Sequence, residues 1–228
     1  MSNVKINGNT YNGVDEIRLM KADDSGYAIY KEGQEAAENI LDIAVARGDM
    51  GSYRNEAGSV CLSVFCGLNL GDLDFPYATT ASGGVIACKA NRVLLPNVTT
   101  LNVDKSFGAQ QNGLLAGFQQ SDITLLDLSG LTTSMNNACK FTGARIGTLK
   151  LGSYFPPANI WGNAIITNAI LSGFRAEMTA SALTYFANAT ITNLYVPADQ
   201  LAGAQQLKSE GKLSKVTNIY SAADWSDD

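Results

Sequence analysis

Chemistry based on a nucleophile and a base has few starting points in this sequence. The chain contains no histidine, so the Ser–His and Cys–His pairs that activate many enzymatic nucleophiles are absent. The spacing Ser-x-x-Lys occurs at Ser2 with Lys5 and at Ser209 with Lys212. The other motifs of the serine acyltransferases that use this spacing are missing. We interpret both matches as chance, and predict no catalytic residues and no enzymatic activity.

Acidic pairs and glycine-rich stretches also give little evidence for a catalytic or cofactor-binding site. Asp72 with Asp74, and Asp23 with Asp24, lie close in sequence, and we interpret the first pair as a solvated strand face and the second as a turn. No stretch carries the GxGxxG pattern or a P-loop lysine. The sequence therefore predicts no cofactor.

The four cysteines are the remaining metal-ligand candidates, and none forms a CxxC pair. They stand at Cys61, Cys66, Cys88 and Cys139. A zinc site would require all four to converge from unusual spacings, so we predict no metal site. Two interpretations stay open: buried thiols that pack as small hydrophobic side chains, or a disulfide such as Cys61 to Cys66.

Composition and charge limit the class of partner. The chain has 228 residues, 46% of them hydrophobic, with a net charge of −5 and a pI near 4.8. This is enough apolar material for a sizeable core. The absence of any run of Lys or Arg argues against nucleic acid or anionic membrane as partner. No apolar run suggests a signal peptide or a membrane-inserted segment.

A repeat organises most of the chain. Apolar residues stand at the first, fourth and sixth positions of seven short segments, whose starts lie 20 to 28 residues apart, although Ala169 and Ser221 weaken two of the seven. The segments are Leu70/Leu73/Phe75, Val98/Leu101/Val103, Ile123/Leu126/Leu128, Ile146/Leu149/Leu151, Ile166/Ala169/Leu171, Ile191/Leu194/Val196 and Val216/Ile219/Ser221. Repeats of this length predict a solenoid of about seven coils, in which stacked units share one core.

A second column accompanies the first, five residues before each segment. Its members are Phe65, Val93, Phe118, Phe141, Trp161, Phe186 and Gly211. Five of the seven are aromatic. We expect one large ring per unit to fill the space between the strand wall and the opposite wall.

The chain divides into three predicted parts. Residues 1–33 contain short strands separated by Asn-Gly and Asp-Ser-Gly turns, which predicts an antiparallel meander. Residues 34–58 contain a predicted capping helix over Gln34–Arg47, followed by a glycine-rich linker. Residues 59–228 hold the repeats, with a helix predicted over Pro197–Gly211 and a shorter one over residues 179–187.

Outward-facing residues are the candidates for binding. The fifth residue of each segment should face out, giving the column Asp74, Asn102, Asp127, Lys150, Ile170, Tyr195 and Tyr220. Beside it runs a repeated Thr-Asn pair, at Thr167 and Asn168, Thr192 and Asn193, and Thr217 and Asn218. The candidate ligand-binding residues are Tyr195, Tyr220, Ile170, Asn168, Asn193 and Asn218. Ordinary strand propensity and cross-strand packing are the alternative explanation.

The repeat resembles a known family. The phrase Phe186-Ala-Asn-Ala-Thr-Ile-Thr-Asn-Leu-Tyr-Val-Pro-Ala-Asp199 is similar to the repeat of BspA-like leucine-rich-repeat proteins of bacterial surfaces and phages. The segments Val4-Lys-Ile-Asn-Gly-Asn-Thr-Tyr-Asn-Gly-Val14 and Ala22-Asp-Asp-Ser-Gly-Tyr27 resemble an N-terminal segment of tail-associated proteins in phages and prophages of gut Firmicutes. The resemblance implies an α/β repeat fold, a leucine-rich-repeat solenoid with a parallel sheet face, preceded by the meander and one helix.

The match has departures, and its functional implication is broad. The Asn or Cys that closes the strand turn in standard leucine-rich repeats is replaced, for example by Leu131 and Tyr154, so the backbone there must be satisfied differently. The resemblance implies a recognition or adhesion module on a phage tail or bacterial surface, binding protein or carbohydrate on a cell. The alternative is a structural subunit that assembles with copies of itself through the meander or the apolar C-terminal end.

Overall fold

The computed structural model describes most of the repeat region and the strands that precede it. The described residues are 3–6, 9–12, 17–23, 26–31, 40–44, 59–61, 69–74, 79–82, 88–102, 117–132, 141–153, 161–173 and 180–227. Within them the strands are β1 (Asn3–Ile6), β2 (Asn9–Asn12), β3 (Ile17–Asp23), β4 (Gly26–Lys31), β5 (Ile40–Ala44), β6 (Ser59–Cys61), β7 (Asn69–Asp74), β8 (Thr80–Ser82), β9 (Lys89–Leu94), β10 (Thr100–Asn102), β11 (Asp122–Leu128), β12 (Arg145–Leu151), β13 (Ile165–Ile170), β14 (Thr190–Val196) and β15 (Val216–Ser221). The α-helix is α1 (Leu201–Ser209), and 3-10 helices cover Ala180–Asn188, Ala198–Gln200 and Ala222–Asp224.

The first five strands form antiparallel pairs. β1 pairs with β2, and β4 pairs with both β3 and β5. β1 also lies against β7. The predicted helix over Gln34–Arg47 is wrong at Ile40–Ala44, which is a strand paired with β4, and the rest of that range lies outside the described residues. The run Ile-Leu-Asp-Ile is rich in β-branched residues, and pairing with β4 overrides its helix-like spacing.

A seven-stranded parallel sheet forms the main body of the chain. Its strand order is β7-β9-β11-β12-β13-β14-β15, so successive units lie side by side in chain order. The fold is an α/β repeat-like arrangement with few helices. Since each strand pairs with those of neighbouring units, every unit depends on the next for its backbone hydrogen bonds.

The second predicted repeat is misplaced. The strand that enters the main sheet is β9, whose inward residues are Ala90 and Val93. Val93 is therefore a strand residue and not a member of the ring column. Leu101 lies instead on β10, in a separate parallel sheet with β8 and β6. Two apolar patterns with the same spacing occur in this unit, and only pairing with the neighbouring units distinguishes them.

Backbone hydrogen bonds next to the strands of the second sheet connect further residues of successive units. The amide of Thr99 donates to Thr79 O at 2.9 Å, and the amide of Thr132 donates to Thr99 O at 3.1 Å. The early part of the repeat region thus has a second parallel sheet, β6-β8-β10, whereas the later part has the 3-10 helix Ala180–Asn188 and α1.

The core is built from the two predicted columns. From β11 to β14 the first, fourth and sixth positions of each strand segment are buried, whereas Ile219 and Ser221 on β15 are half-buried. The rings stack from unit to unit, with centroid distances of 5.2 Å for Phe118–Phe141, 4.7 Å for Phe141–Trp161 and 4.6 Å for Trp161–Phe186. All four rings are fully buried, so the ring column is confirmed over these four units.

Backbone bonds between units replace the missing Asn or Cys at the strand ends. Leu95 N donates to Asp127 O at 2.9 Å, Gly152 N to Leu128 O at 3.0 Å, and Leu171 N to Tyr195 O at 2.9 Å. The units approach so closely here that a Cβ at Gly152 would overlap Leu131 O and lie 2.6 Å from Ser129 O.

Both predicted helices of the repeat region are present. Residues 180–188 form the 3-10 helix where the shorter helix was expected, and Pro197 precedes the helical stretch that includes α1. The stretch ends at Gly211, whose φ of +77° favours glycine. In the part of the chain that the structure describes, no helix is long and apolar enough to cross a membrane.

Candidate functional site

The strand geometry creates an outer face with two columns. In the later strands the third and fifth positions of each segment flank a buried fourth position, as Asn193 and Tyr195 flank Leu194 on β14. Because side chains alternate along a strand, both positions face away from the core. The second position, for example Thr192, has no paired residue on the neighbouring strands. We call the surface formed by these third and fifth positions the outer face. The third-position column is Asp72, Arg92, Leu125, Thr148, Asn168, Asn193 and Asn218. The fifth-position column is Asp74, Leu94, Asp127, Lys150, Ile170, Tyr195 and Tyr220.

The three predicted asparagines form one hydrogen-bonded ladder. Asn218 Nδ2 donates to Asn193 Oδ1 at 3.0 Å, and Asn193 Nδ2 donates to Asn168 Oδ1 at 2.9 Å. Asn168 Nδ2 then donates to Thr148 Oγ1 at 3.4 Å. Each amide has a second N–H and each oxygen a second lone pair. The half-buried ladder can therefore hold its shape and still bond to a ligand.

An aromatic cluster lies beside the ladder. The rings of Tyr195 and Tyr220 are 5.3 Å apart between centroids, and Trp225 meets Tyr195 edge-on at 5.0 Å with an interplanar angle of 72°. Tyr220 is 41% exposed, whereas Tyr195 and Trp225 are half-buried. The structure thus brings the two predicted tyrosines together and adds a tryptophan.

Two expectations about the fifth-position column are wrong. Ile170 was expected to be accessible, but it is only 3% exposed. Asn102 is not in the column, because its strand, β10, belongs to the second sheet, and Leu94 of β9 takes its place.

Ile170 lies on the strand between two strands that one C-terminal segment contacts. Its register neighbours are Lys150 and Tyr195. Lys150 Nζ lies 2.7 Å from the carboxylate of Asp227, and Tyr195 contacts Trp225. Residues 222–227, which we call the crossing segment, therefore contact the strands on both sides of Ile170.

The carboxylate of Asp227 has two donors. Lys150 donates to it, and Trp225 Nε1 donates to its Oδ1 at 3.0 Å. These bonds, that of Lys150 first, hold the pKa of Asp227 below its ordinary value. The ionised carboxylate is therefore the form that fixes the crossing segment to the outer face.

Charges at the other end of the outer face also have nearby partners. Asp72 Oδ2 lies 3.8 Å from Arg92 Nη1, and Asp127 Oδ1 accepts the backbone N–H of Ser129 at 2.9 Å. Asp72 is thus part of an exposed ion pair, which supports the interpretation of a solvated strand face.

Among the described residues, Ser209 and Lys212 of the second Ser-x-x-Lys match each have a different partner. Ser209 Oγ donates to Gln206 O at 2.7 Å, and Lys212 Nζ pairs with Glu210 at 2.8 Å. Hydrogen bonds from Lys212 and Gln206 lower the pKa of exposed Glu210. Cys88 is buried. Ser2, Asp24, Cys66 and Cys139 lie outside the described residues. Among the described residues, no three His, Cys, Asp or Glu side chains cluster as metal ligands do.

The sequence analysis did not predict the crossing segment, and it did not predict that Lys208 covers the backbone carbonyls of the edge strand β15. Trp225 is a large aromatic residue in the acidic stretch Asp-Trp-Ser-Asp-Asp, but no spacing rule connects it to Tyr195. Lys208 of α1 donates to the carbonyls of Val216, at 2.7 Å, and Thr217 on β15. An ammonium group on an edge strand discourages pairing with another chain.

Comparisons with protein-family models, with curated proteins and with solved structures gave no match.

Proposed function

We propose that this protein is a non-enzymatic recognition or adhesion module whose repeat units form a leucine-rich-repeat solenoid of the BspA-like type. In this proposal the outer face of β13, β14 and β15 contacts a protein or a carbohydrate on a cell surface. The setting is a phage tail or a bacterial surface, as the resemblance of the sequence suggests.

The observation that carries the proposal is the exposed aromatic cluster beside a fixed amide ladder. A half-exposed ring such as Tyr220 offers apolar contact area at low cost in side-chain entropy, and aromatic residues are enriched in interfaces. The ladder fixes the donors and acceptors of Asn168, Asn193 and Asn218 in a row. A preorganised polar row next to an aromatic surface lowers the ordering cost of binding.

The alternative is a structural subunit that assembles with copies of itself, through its N-terminal strands or its apolar C-terminal end. β15 has a neighbour on one side only, which offers an edge for pairing. However, Lys208 covers the carbonyls of Val216 and Thr217 there. This cover opposes edge pairing and favours the recognition module.

The test compares three tyrosine variants. Tyr220→Ala and Tyr195→Ala are expected to reduce binding to intact bacterial cells or to an arrayed glycan by about tenfold or more, as for an interface residue worth about 1.4 kcal/mol. Tyr185→Ala is the matched control, because Tyr185 is 43% exposed but lies on the 3-10 helix Ala180–Asn188 and outside the sheet. Binding that both outer-face variants leave unchanged would contradict the proposal.

A further inference from the structure

The crossing segment begins with a tight turn directly after β15. Ser221 Oγ accepts the N–H of Ala223 at 3.2 Å, which starts the 3-10 helix Ala222–Asp224. Trp225 N donates to Ala222 O at 3.3 Å. The turn redirects the chain so that Trp225 contacts Tyr195 on β14 and Asp227 contacts Lys150 on β12.

The distances agree with an extended segment lying across the strands. Neighbouring strands lie about 4.8 Å apart, so β14 and β12 are roughly 10 Å apart. Two residues of extended chain span about 7 Å, and the side chains of Trp225 and Lys150 cover the remainder. The segment therefore crosses β13 at the position where Ile170 is 3% exposed.

The contacts of the crossing segment with the outer face depend on the chemistry of two of its side chains, Trp225 and Asp227. An aromatic ring packs against Tyr195, and a carboxylate two residues later meets Lys150. Trp225 Nε1 also donates to that carboxylate, which holds the aromatic and acidic side chains in one arrangement. Ile170, which is 3% exposed, lies in register between Lys150 and Tyr195. A segment without an aromatic residue or without the acid would lose one of these contacts.

We propose that the outer face of β12, β13 and β14 is a binding site for an acidic, aromatic peptide segment of a partner protein. The partner segment carries an aromatic residue two positions before a carboxylate, and this chain's own crossing segment occupies the site when no partner is bound. The inference rests on the proposed recognition function and specifies its partner class.

The charge pattern supports a protein segment of this kind. With the crossing segment in place the Lys150 side chain is 19% exposed, and its ammonium group has the carboxylate of Asp227 as its anionic partner. The side chain of Asp227 is 63% exposed, which leaves its side of the contact accessible to a competing carboxylate. A tethered segment competes at an effective concentration of about 1 mM, so a partner with a micromolar dissociation constant displaces it.

The experiment uses a ¹⁵N-labelled chain lacking residues 222–228 and a synthetic peptide with the sequence of residues 221–228, Ser-Ala-Ala-Asp-Trp-Ser-Asp-Asp. We expect saturable amide shifts at Lys150, Ile170 and Tyr195, with a dissociation constant of about 1 mM or lower, given the effective concentration of a short tether. The intact chain is expected to bind the same peptide at least about twofold more weakly, because its own segment competes at an effective concentration of about 1 mM.

Charge reversal tests the specificity. Lys150→Glu in the shortened chain is expected to abolish the shifts, and a peptide with Asp227→Lys is expected to restore them. If deletion prevents folding, the intact chain with both Trp225→Ala and Asp227→Ala replaces it, since its backbone is complete. A folded variant that gives no shifts, or shifts away from the outer face, overturns the inference.

The same variants distinguish this inference from the proposed function. A shortened chain that binds cells or glycans but not the peptide overturns the peptide site and leaves the recognition function standing. A chain that binds none of them contradicts both. Binding of the peptide alone supports the inference and identifies protein, not carbohydrate, as the partner class.

Discussion

Lys150 Nζ donates to the carboxylate of Asp227 at 2.7 Å although the two residues are 77 positions apart in the chain. The bond connects β12 to the crossing segment, past the two strands that lie between β12 and β15. Since both groups must be charged, the attachment of the crossing segment depends on pH.

Acidification should release the crossing segment. The pKa of Asp227 is lowered in the folded protein, first by the hydrogen bond from Lys150. A lowered pKa contributes stability that is full above the ordinary carboxyl value of 3.8 and is lost as the pH falls through the folded value. We therefore expect release below that ordinary value and not between pH 5 and pH 8.

The indole N–H signals measure this release. Trp225 Nε1 donates to Asp227, so its NMR signal is expected to shift when the carboxylate is protonated. Trp161, the other tryptophan of the chain, is fully buried and serves as the internal control. In Asp227→Asn the Trp225 signal is expected to be insensitive to this titration. A Trp225 signal that titrates equally in both proteins would disprove the assignment.

The amide ladder should respond in proportion to the bonds removed. Asn193→Ala removes two side-chain hydrogen bonds, whereas Asn218→Ala removes one. At about 1 kcal/mol for each bond, urea unfolding is expected to show a loss of about 2 kcal/mol for Asn193→Ala and half of that for Asn218→Ala. Equal losses of stability in the two variants would show that the ladder bonds contribute little free energy and that the losses come from replacing Asn with Ala in a strand.

The ring stack should be the most sensitive part of the core. Phe141 lies between Phe118 and Trp161, and Phe141→Ala is expected to lower the free energy of unfolding by about 3 to 5 kcal/mol. Trp161→Phe is the comparison, because Trp161 Nε1 is buried and has no hydrogen-bond partner among the described residues. Removing that unpaired N–H offsets part of the lost packing.

Calorimetric or urea unfolding decides between the two core variants. Trp161→Phe is expected to cost clearly less than Phe141→Ala. A Phe141→Ala variant that loses less than about 0.5 kcal/mol, a value typical of surface positions, would contradict the stacked core.

The ammonium group of Lys208, which covers backbone carbonyls of β15, should limit self-association of the chain. Lys208→Met keeps the apolar stem but leaves the carbonyls of Val216 and Thr217 without the ammonium group. We expect concentration-dependent dimers or larger species in sedimentation velocity, because an uncovered edge strand pairs with other chains. Lys212→Met, which removes an ion pair with Glu210 outside β15, is the control and should sediment like the parent protein.

Local spacing predicted the later units well and the earlier ones poorly. From Ile123 to Ile191, each unit has one apolar pattern and one ring five residues before it, so the pattern identifies the strand. Between β7 and β11 two patterns compete, one starting at Ala90 and one at Val98. The choice is made by backbone pairing with β7 and β11, which no single segment encodes.

The candidate site shows the same limit. Tyr195 and Tyr220 could be paired from their equal positions in two successive units, and the structure places their rings in contact. The burial of Ile170 could not be predicted, because it depends on the path of the crossing segment. That path is fixed by contacts between residues far apart in sequence, which local patterns do not report.

The amide ladder also has a direction that makes the outer face extensible. Every amide donates toward the earlier unit, and the segments starting at Ile166, Ile191 and Val216 are spaced by 25 residues each. A duplicated unit inserted between β14 and β15 would receive a donor on one side and supply one on the other. Insertion of a whole unit would thus lengthen the outer face by about 4.8 Å per added strand and keep the hydrogen bonds of the ladder at each end. Gene duplication can therefore adjust the size of the target that the outer face contacts.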